Sequence, residues 1–120
     1  MAARSTRVHL INFTNQTLRR LRDELLHGIW TTHIPNKIER LESAQWESES
    51  HGFCTGTEGW VEFEVSDDSG VIRLHWNNPF VGSNEYSHTA PPLYQVSYKD
   101  GVGDNATVTF EIRCVDAPPF

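Results

Sequence analysis

An all-β domain, either a two-sheet sandwich or a small barrel, is the fold class this sequence predicts, and three observations predict it. Apolar residues recur at every second position in several short runs, most clearly Trp60–Val65 and Val71–Trp76. Clusters of Gly, Pro, Asn, Asp and Ser punctuate those runs. The 120 residues include four Trp, six Phe and three Tyr, rings large enough to close a core at this length. The expectation is one domain over 1–120 of about seven or more short strands, closed as a two-sheet sandwich or a small barrel, with 1–6 and 115–120 as loose termini.

The elements follow in order. Arg7 to Phe13 is a strand with Val8, Leu10 and Asn12 on one face and His9, Ile11 and Phe13 on the other. Asn12-Phe13-Thr14-Asn15 supplies a turn. Thr17 to Leu26 is ambiguous: Leu18, Leu21, Leu25 and Leu26 fit a helical stripe, with Gly28 as its stop. The strand formers Ile29-Trp30-Thr31-Thr32 that follow favour a strand with an irregularity. His33 to Lys37 connects, because Pro35 lacks an amide donor. Ile38 to Leu41 fits a short helical turn or a loop, and Ala44 to Ser50 a strand around Trp46.

A Gly-rich loop from Gly52 to Gly59 leads into the central hairpin. There Val61, Phe63 and Val65 face the core, Ser66-Asp67-Asp68-Ser69-Gly70 turns, and Ile72, Leu74 and Trp76 return on one face. Asn77 to Asn84 reads as a loop and Ala90-Pro91-Pro92 as irregular. Leu93 to Tyr98 alternates, Lys99 to Asp104 turns, and Ala106 to Arg113 is the last strand, with Val108, Phe110 and Ile112 together.

Charge and composition narrow the function. The net charge is −6, yet the first 22 residues carry Arg4, Arg7, Arg19, Arg20 and Arg22 and no acid. An acidic chain is a poor nucleic-acid binder, so no nucleic-acid partner is expected. The basic start suits either solvated charge or docking on an anionic surface, the former favoured. No apolar run approaches the ~20 residues of a membrane-spanning helix. Met1 to Arg7 holds no apolar leader, which predicts a cytoplasmic protein or one released without a signal peptide. In that compartment the three Asn-x-Thr sequons at Asn12, Asn15 and Asn105 go unmodified. Cys54 and Cys114 are then expected as free, partly buried thiols.

Two motifs resemble a known family. Gly56-Thr57-Glu58-Gly59 leads into Trp60-Val61-Glu62-Phe63, and one hairpin later come Trp76-Asn77-Asn78-Pro79-Phe80-Val81-Gly82-Ser83-Asn84. Together they resemble the aegerolysins, whose G-T-x-G segment opens a strand and whose later strand ends in Trp, two small or polar residues, Pro, an aromatic and Gly-Ser. The strand ending near Asn12, the Gly28–Trp30 spacing and the Val108-Thr109 strand extend the resemblance over roughly residues 7 to 113. It implies an antiparallel, aegerolysin/actinoporin-like β-sandwich rather than a barrel, one that binds membrane lipids, often sphingolipids, and in several members forms the cytolysin-like, haemolytic pair with a larger perforin-like partner. The chain departs from the pattern at Asn77, where known members tend to have Asp, and at Phe80, which replaces a second Trp. Arginines also stand where lipid-binding members have an aromatic-rich start.

The expected ligand site is the Trp76–Tyr86 loop. Phe80, Val81 and Tyr86 would form a lipid-facing rim, while Asn78, Ser83 and Asn84 would hydrogen-bond a headgroup; Trp76 more readily closes the end of the sandwich. The same residue types suit sugars, so a lectin-like module is an alternative. An enzyme with a His-lined pocket is another. His9, His27, His33, His51, His75 and His88 are scattered without metal-ligand spacing, and no metal, cofactor or catalytic residue is assigned. His75 is expected near Glu62 and Glu64, as surface decoration. His51 and Cys54 lack a third orienting group, and Asp67-Asp68 are explained by their turn. Oligomeric state is left open.

Overall fold

A computed structural model describes residues 2–115, and these form two packed five-stranded sheets. The first sheet runs in the order β3 (Ile29–Thr32), β5 (Ser43–Glu49), β1 (Ser5–Asn12), β10 (Asn105–Cys114) and β9 (Tyr94–Asp100). The second runs β4 (Lys37–Ile38), β2 (Leu18–His27), β6 (Thr57–Val65), β7 (Val71–Asn78) and β8 (Glu85–Thr89). All-β architecture therefore holds, as a sandwich whose ten strands among the described residues agree with the seven or more expected. β4 and β8 fall where no strand was expected. β1 and β10 depart from the antiparallel rule: they pair in parallel, Val8 beside Val108 and Leu10 beside Phe110. Ser5 and Thr6 already belong to β1, so the amino end is tied down from that point. Of the tail expected to be loose, residues 116–120 lie outside the described residues.

Alternation decides what enters the core. Val8 and Leu10, Val61, Phe63 and Val65, Ile72, Leu74 and Trp76, and Val108, Phe110 and Ile112 are all buried between the sheets. Trp46 and Trp76 are the largest of the fully buried side chains and lie 6.1 Å apart, centroid to centroid. A buried polar relay crosses the sandwich beside them. The Trp76 indole donates to Ser48 Oγ at 3.2 Å, Ser48 and Thr57 hydroxyls meet at 2.6 Å, and Thr57 Oγ1 donates to His27 O. Each hydroxyl has one proton, so the donors must run in that single direction.

The ambiguous Leu-rich segment is strand β2, and its helical look has a cause. Register shifts fall between Arg20 and Arg22 and between Leu25 and His27, each skipping one residue. The skipped residues are Leu21 and Leu26, both exposed, whereas Leu18 is buried and Leu25 packs on the core. Two bulges thus break the period of two into a spacing that imitates a helix.

At one end, the Asn12 side chain accepts from Thr14 N and Oγ1 and donates to Gln16 O and Glu39 O, closing the turn after β1. The Ser66–Gly70 hairpin lies at the same end, with Asp68 at φ 62° and Gly70 at φ 140°. Cys54 and Cys114 are free and exposed rather than partly buried: one sits in a loop, the other at the last position of β10.

Candidate functional site

Three connections gather at the opposite end. They are residues 50–56 between β5 and β6, 79–84 between β7 and β8, and 101–104 between β9 and β10. The 79–84 loop starts where it does because Pro79, with no N–H, cannot extend the ladder beyond the Thr57–Asn78 pair.

A cleft of about 360 Å³ opens between the 79–84 and 101–104 loops. Its lining includes Arg4, Asn78, Ser83, Asn84, Tyr86, Tyr98, Asp100 and Asp104. Asn84 Nδ2 donates to Gly101 O and Gly103 O, both at 2.9 Å, and the Tyr86 hydroxyl donates to Gly101 O at 2.7 Å. The Tyr86 ring lies against Gly101, where a Cβ would stand 2.6 Å from Cε2; at φ 85° that position suits only glycine. Burial pushes the Tyr86 phenol up to about 12, and the neighbouring Tyr98 adds to the shift. The two tyrosine rings are 5.4 Å apart.

Asn78 is buried beneath this cleft. Its Nδ2 donates to Ser5 O and Asp104 O, each at 2.9 Å, while its Oδ1 is buried with no partner. Arg4 forms a side wall. Its Nη2 donates to Phe80 O at 2.8 Å and its Nε to Pro79 O at 3.4 Å, and the Asp104 carboxylate lies 3.6 Å away. One cation and two acids therefore share the cleft, an arrangement suited to a polar ligand that is neutral or carries both signs.

A second cleft, of about 600 Å³, lies on the other side of Phe80, bounded by Ile29, His51, Phe53 and Cys54.

The expected ligand residues divide. Asn78, Ser83, Asn84 and Tyr86 line the first cleft, and Phe80 lines the second. Trp76 lines neither: it is fully buried, as is Asn78, so neither belongs to an exposed rim. The alternation carried this signal, because Asn78 continues the inward series Ile72, Leu74, Trp76 by one more step. Arg4, Tyr98, Asp100 and Asp104 were missed. Only the local turn at Lys99–Asp104 was visible in sequence, not its place beside the 79–84 loop.

His75 also differs from expectation. It pairs with Trp60, which leaves Glu58 as its partner, Nε2 to Oε2 at 2.8 Å; exposed His27 approaches the same carboxylate at 3.9 Å. Glu62 instead faces Arg73 in the register and bonds Arg22 and Arg73, which hold its carboxyl below the usual range. Among the described residues, no three His, Cys, Asp or Glu side chains are placed to hold a metal ion.

Comparison with known proteins follows the fold. A solved structure described as the lipid binding protein Nakanori superposes with a TM-score of 0.81 at 14% identity, covering 93% of this chain and 72% of that one. IP-1A from Alcaligenes faecalis gives 0.68 at 20% identity, covering 96% and 95%. An uncharacterised protein of Dictyostelium discoideum is 28% identical over 114 residues; the chain spans only 10% of its length. The family model for aegerolysin matches residues 24–114, most of the chain, including both clefts' central loops. The chain belongs to the aegerolysin family.

Proposed function

We propose that this protein binds membrane lipids and holds a headgroup in the cleft between the 79–84 and 101–104 loops. The observation that carries this is a cleft that brings the Arg4 cation and the Asp100 and Asp104 carboxylates together with the polar side chains of Ser83 and Asn84. The two carboxylates accept only, and a hydrogen bond to a charged group contributes about 1.5–3 kcal/mol, so a ligand that brings donors suits the cleft. A sphingolipid carries hydroxyl and amide donors just below its headgroup, whereas the esters of a glycerolipid only accept. That difference favours a sphingolipid. Similarity to a structure described as lipid binding supports the wider class. Family resemblance supports a further step, in which the lipid-bound protein recruits a larger perforin-like partner.

Flotation with vesicles of phosphatidylcholine, alone or mixed with sphingomyelin or phosphatidylserine, tests this. Retention is expected on the sphingomyelin mixture and should weaken in Asn84→Ala. No retention on any of the three overturns lipid binding. A second reading has its own observation: the Tyr86 and Tyr98 rings and Asp100 line the same cleft, a combination that stacks on and hydrogen-bonds sugars. Glycan-array binding without flotation would favour it. Dye release only after addition of a perforin-like protein would support the partnership.

A further inference from the structure

We propose that Phe53, Val81 and Val102 enter the apolar edge of a bilayer together, as a three-point anchor at the end of the sandwich. This rests on lipid binding and adds to it the orientation of the molecule and a means of attachment outside the headgroup cleft.

The three are 96%, 83% and 85% exposed and stand on three separate loops. Those loops are neighbours: Val102 shares the first cleft with Gly82 and Ser83, and Phe53 shares the second with Phe80. Each apolar tip adjoins a glycine in the left-handed region, Gly52 at φ 108°, Gly82 at 104°, and Gly101 and Gly103 at 85° and 97°. Such turns present the neighbouring side chain outward, where a water-facing loop has no use for an apolar group.

The arrangement suits a bilayer better than a protein. A well-packed protein interface centres on a closely fitted apolar patch, whereas here two open clefts separate the tips, the first of them lined by Arg4, Asp100 and Asp104. Lipid headgroups fill such clefts while the tips reach the acyl boundary beside them. Charge points the same way. Arg4 faces two acids, Asp100 and Asp104, so the cleft is net negative and disfavours an anionic surface; a zwitterionic one fits, and attachment by apolar tips should change little with salt.

Two native cysteines make the test. Cys54 adjoins Phe53 and is exposed. Cys114 lies at the other end, paired with Tyr94, whose hydroxyl bonds Asp67 of the Ser66–Gly70 turn. A polarity-sensitive dye is placed on Cys54 in Cys114→Ser, and on Cys114 in Cys54→Ser. Vesicles of phosphatidylcholine with sphingomyelin are then added. The Cys54 dye should brighten, shift to the blue and be quenched by a shallow lipid-borne quencher, while the Cys114 dye stays unchanged.

Phe53→Asp, Val81→Asp and Val102→Asp should each weaken vesicle binding about tenfold or more without lowering the melting temperature, since each removes apolar area from the lipid contact. Leu41→Asp, at the opposite end and 71% exposed, should bind like the unaltered protein. If the unaltered protein binds but the Cys54 dye is silent, the Cys114 dye responds, or the three Asp variants bind within twofold, the anchor is wrong and lipid binding stands. If the unaltered protein binds none of the vesicles, both fail.

Discussion

The guanidinium of Arg4 stacks 4.6 Å above the ring of Phe80 and donates to the carbonyl of the same residue at 2.8 Å. One side chain thereby holds both the ring and the backbone of the 79–84 loop, between the two clefts. Arg4→Ala removes both contacts. Amide exchange at Val81 to Ser83 should quicken several-fold, with the melting temperature changed by only a few degrees. Exchange rates measured by NMR decide it; unchanged rates would mean the loop holds its shape without Arg4.

Trp76 belongs to the core, so its substitution should act on stability. Trp76→Ala should cost about 3–5 kcal/mol in urea unfolding, as large-to-small changes do in packed interiors. Trp76→Phe should cost less and leave Ser48 without the indole donor. Phe80→Ala is the contrast: half-buried under Arg4, it should lose vesicle affinity with little loss of stability.

The Tyr86 phenol gives a pH dependence of definite sign. Its folded pKa of about 12 lies above that of a phenol in an unfolded chain, near 10. Stability from this group is therefore complete below about pH 10 and is lost as pH rises towards the folded value. Tyr94, also pushed up to about 12 by burial and the bond to Asp67, adds to the same decline. Tyr86→Phe should flatten the fall in melting temperature between pH 10 and 12 and remove one late-ionising phenol from the ultraviolet titration.

Gly101→Ala places a methyl against the Tyr86 ring at a positive φ. It should destabilise by about 1 kcal/mol or more and displace the Tyr86 hydroxyl from Gly101 O. Differential scanning calorimetry and the Tyr86 ring shifts would report both effects. An unchanged melting temperature would show that the ring yields freely, and with it the wall of the cleft.

Alternation and turn chemistry by themselves determined an all-β fold and the inward faces of β1, β6, β7 and β10, because a period of two is a local property of a pleated strand, common to sandwich and barrel. The Ser66–Gly70 turn was equally legible, as was the family, each of whose two motifs is an unbroken stretch of the chain. Only the tertiary structure decided that β1 lies in parallel beside β10, that His75 meets Glu58 rather than Glu62, and that Arg4 and Asp104 wall the cleft behind the 79–84 loop. Those contacts join residues tens of positions apart, and periodicity says which residues share a face but not which strand lies alongside. The bulges in β2 mark the same limit from the other side: an extra residue accommodated by a partner strand leaves no mark of its own in the chain except a broken rhythm.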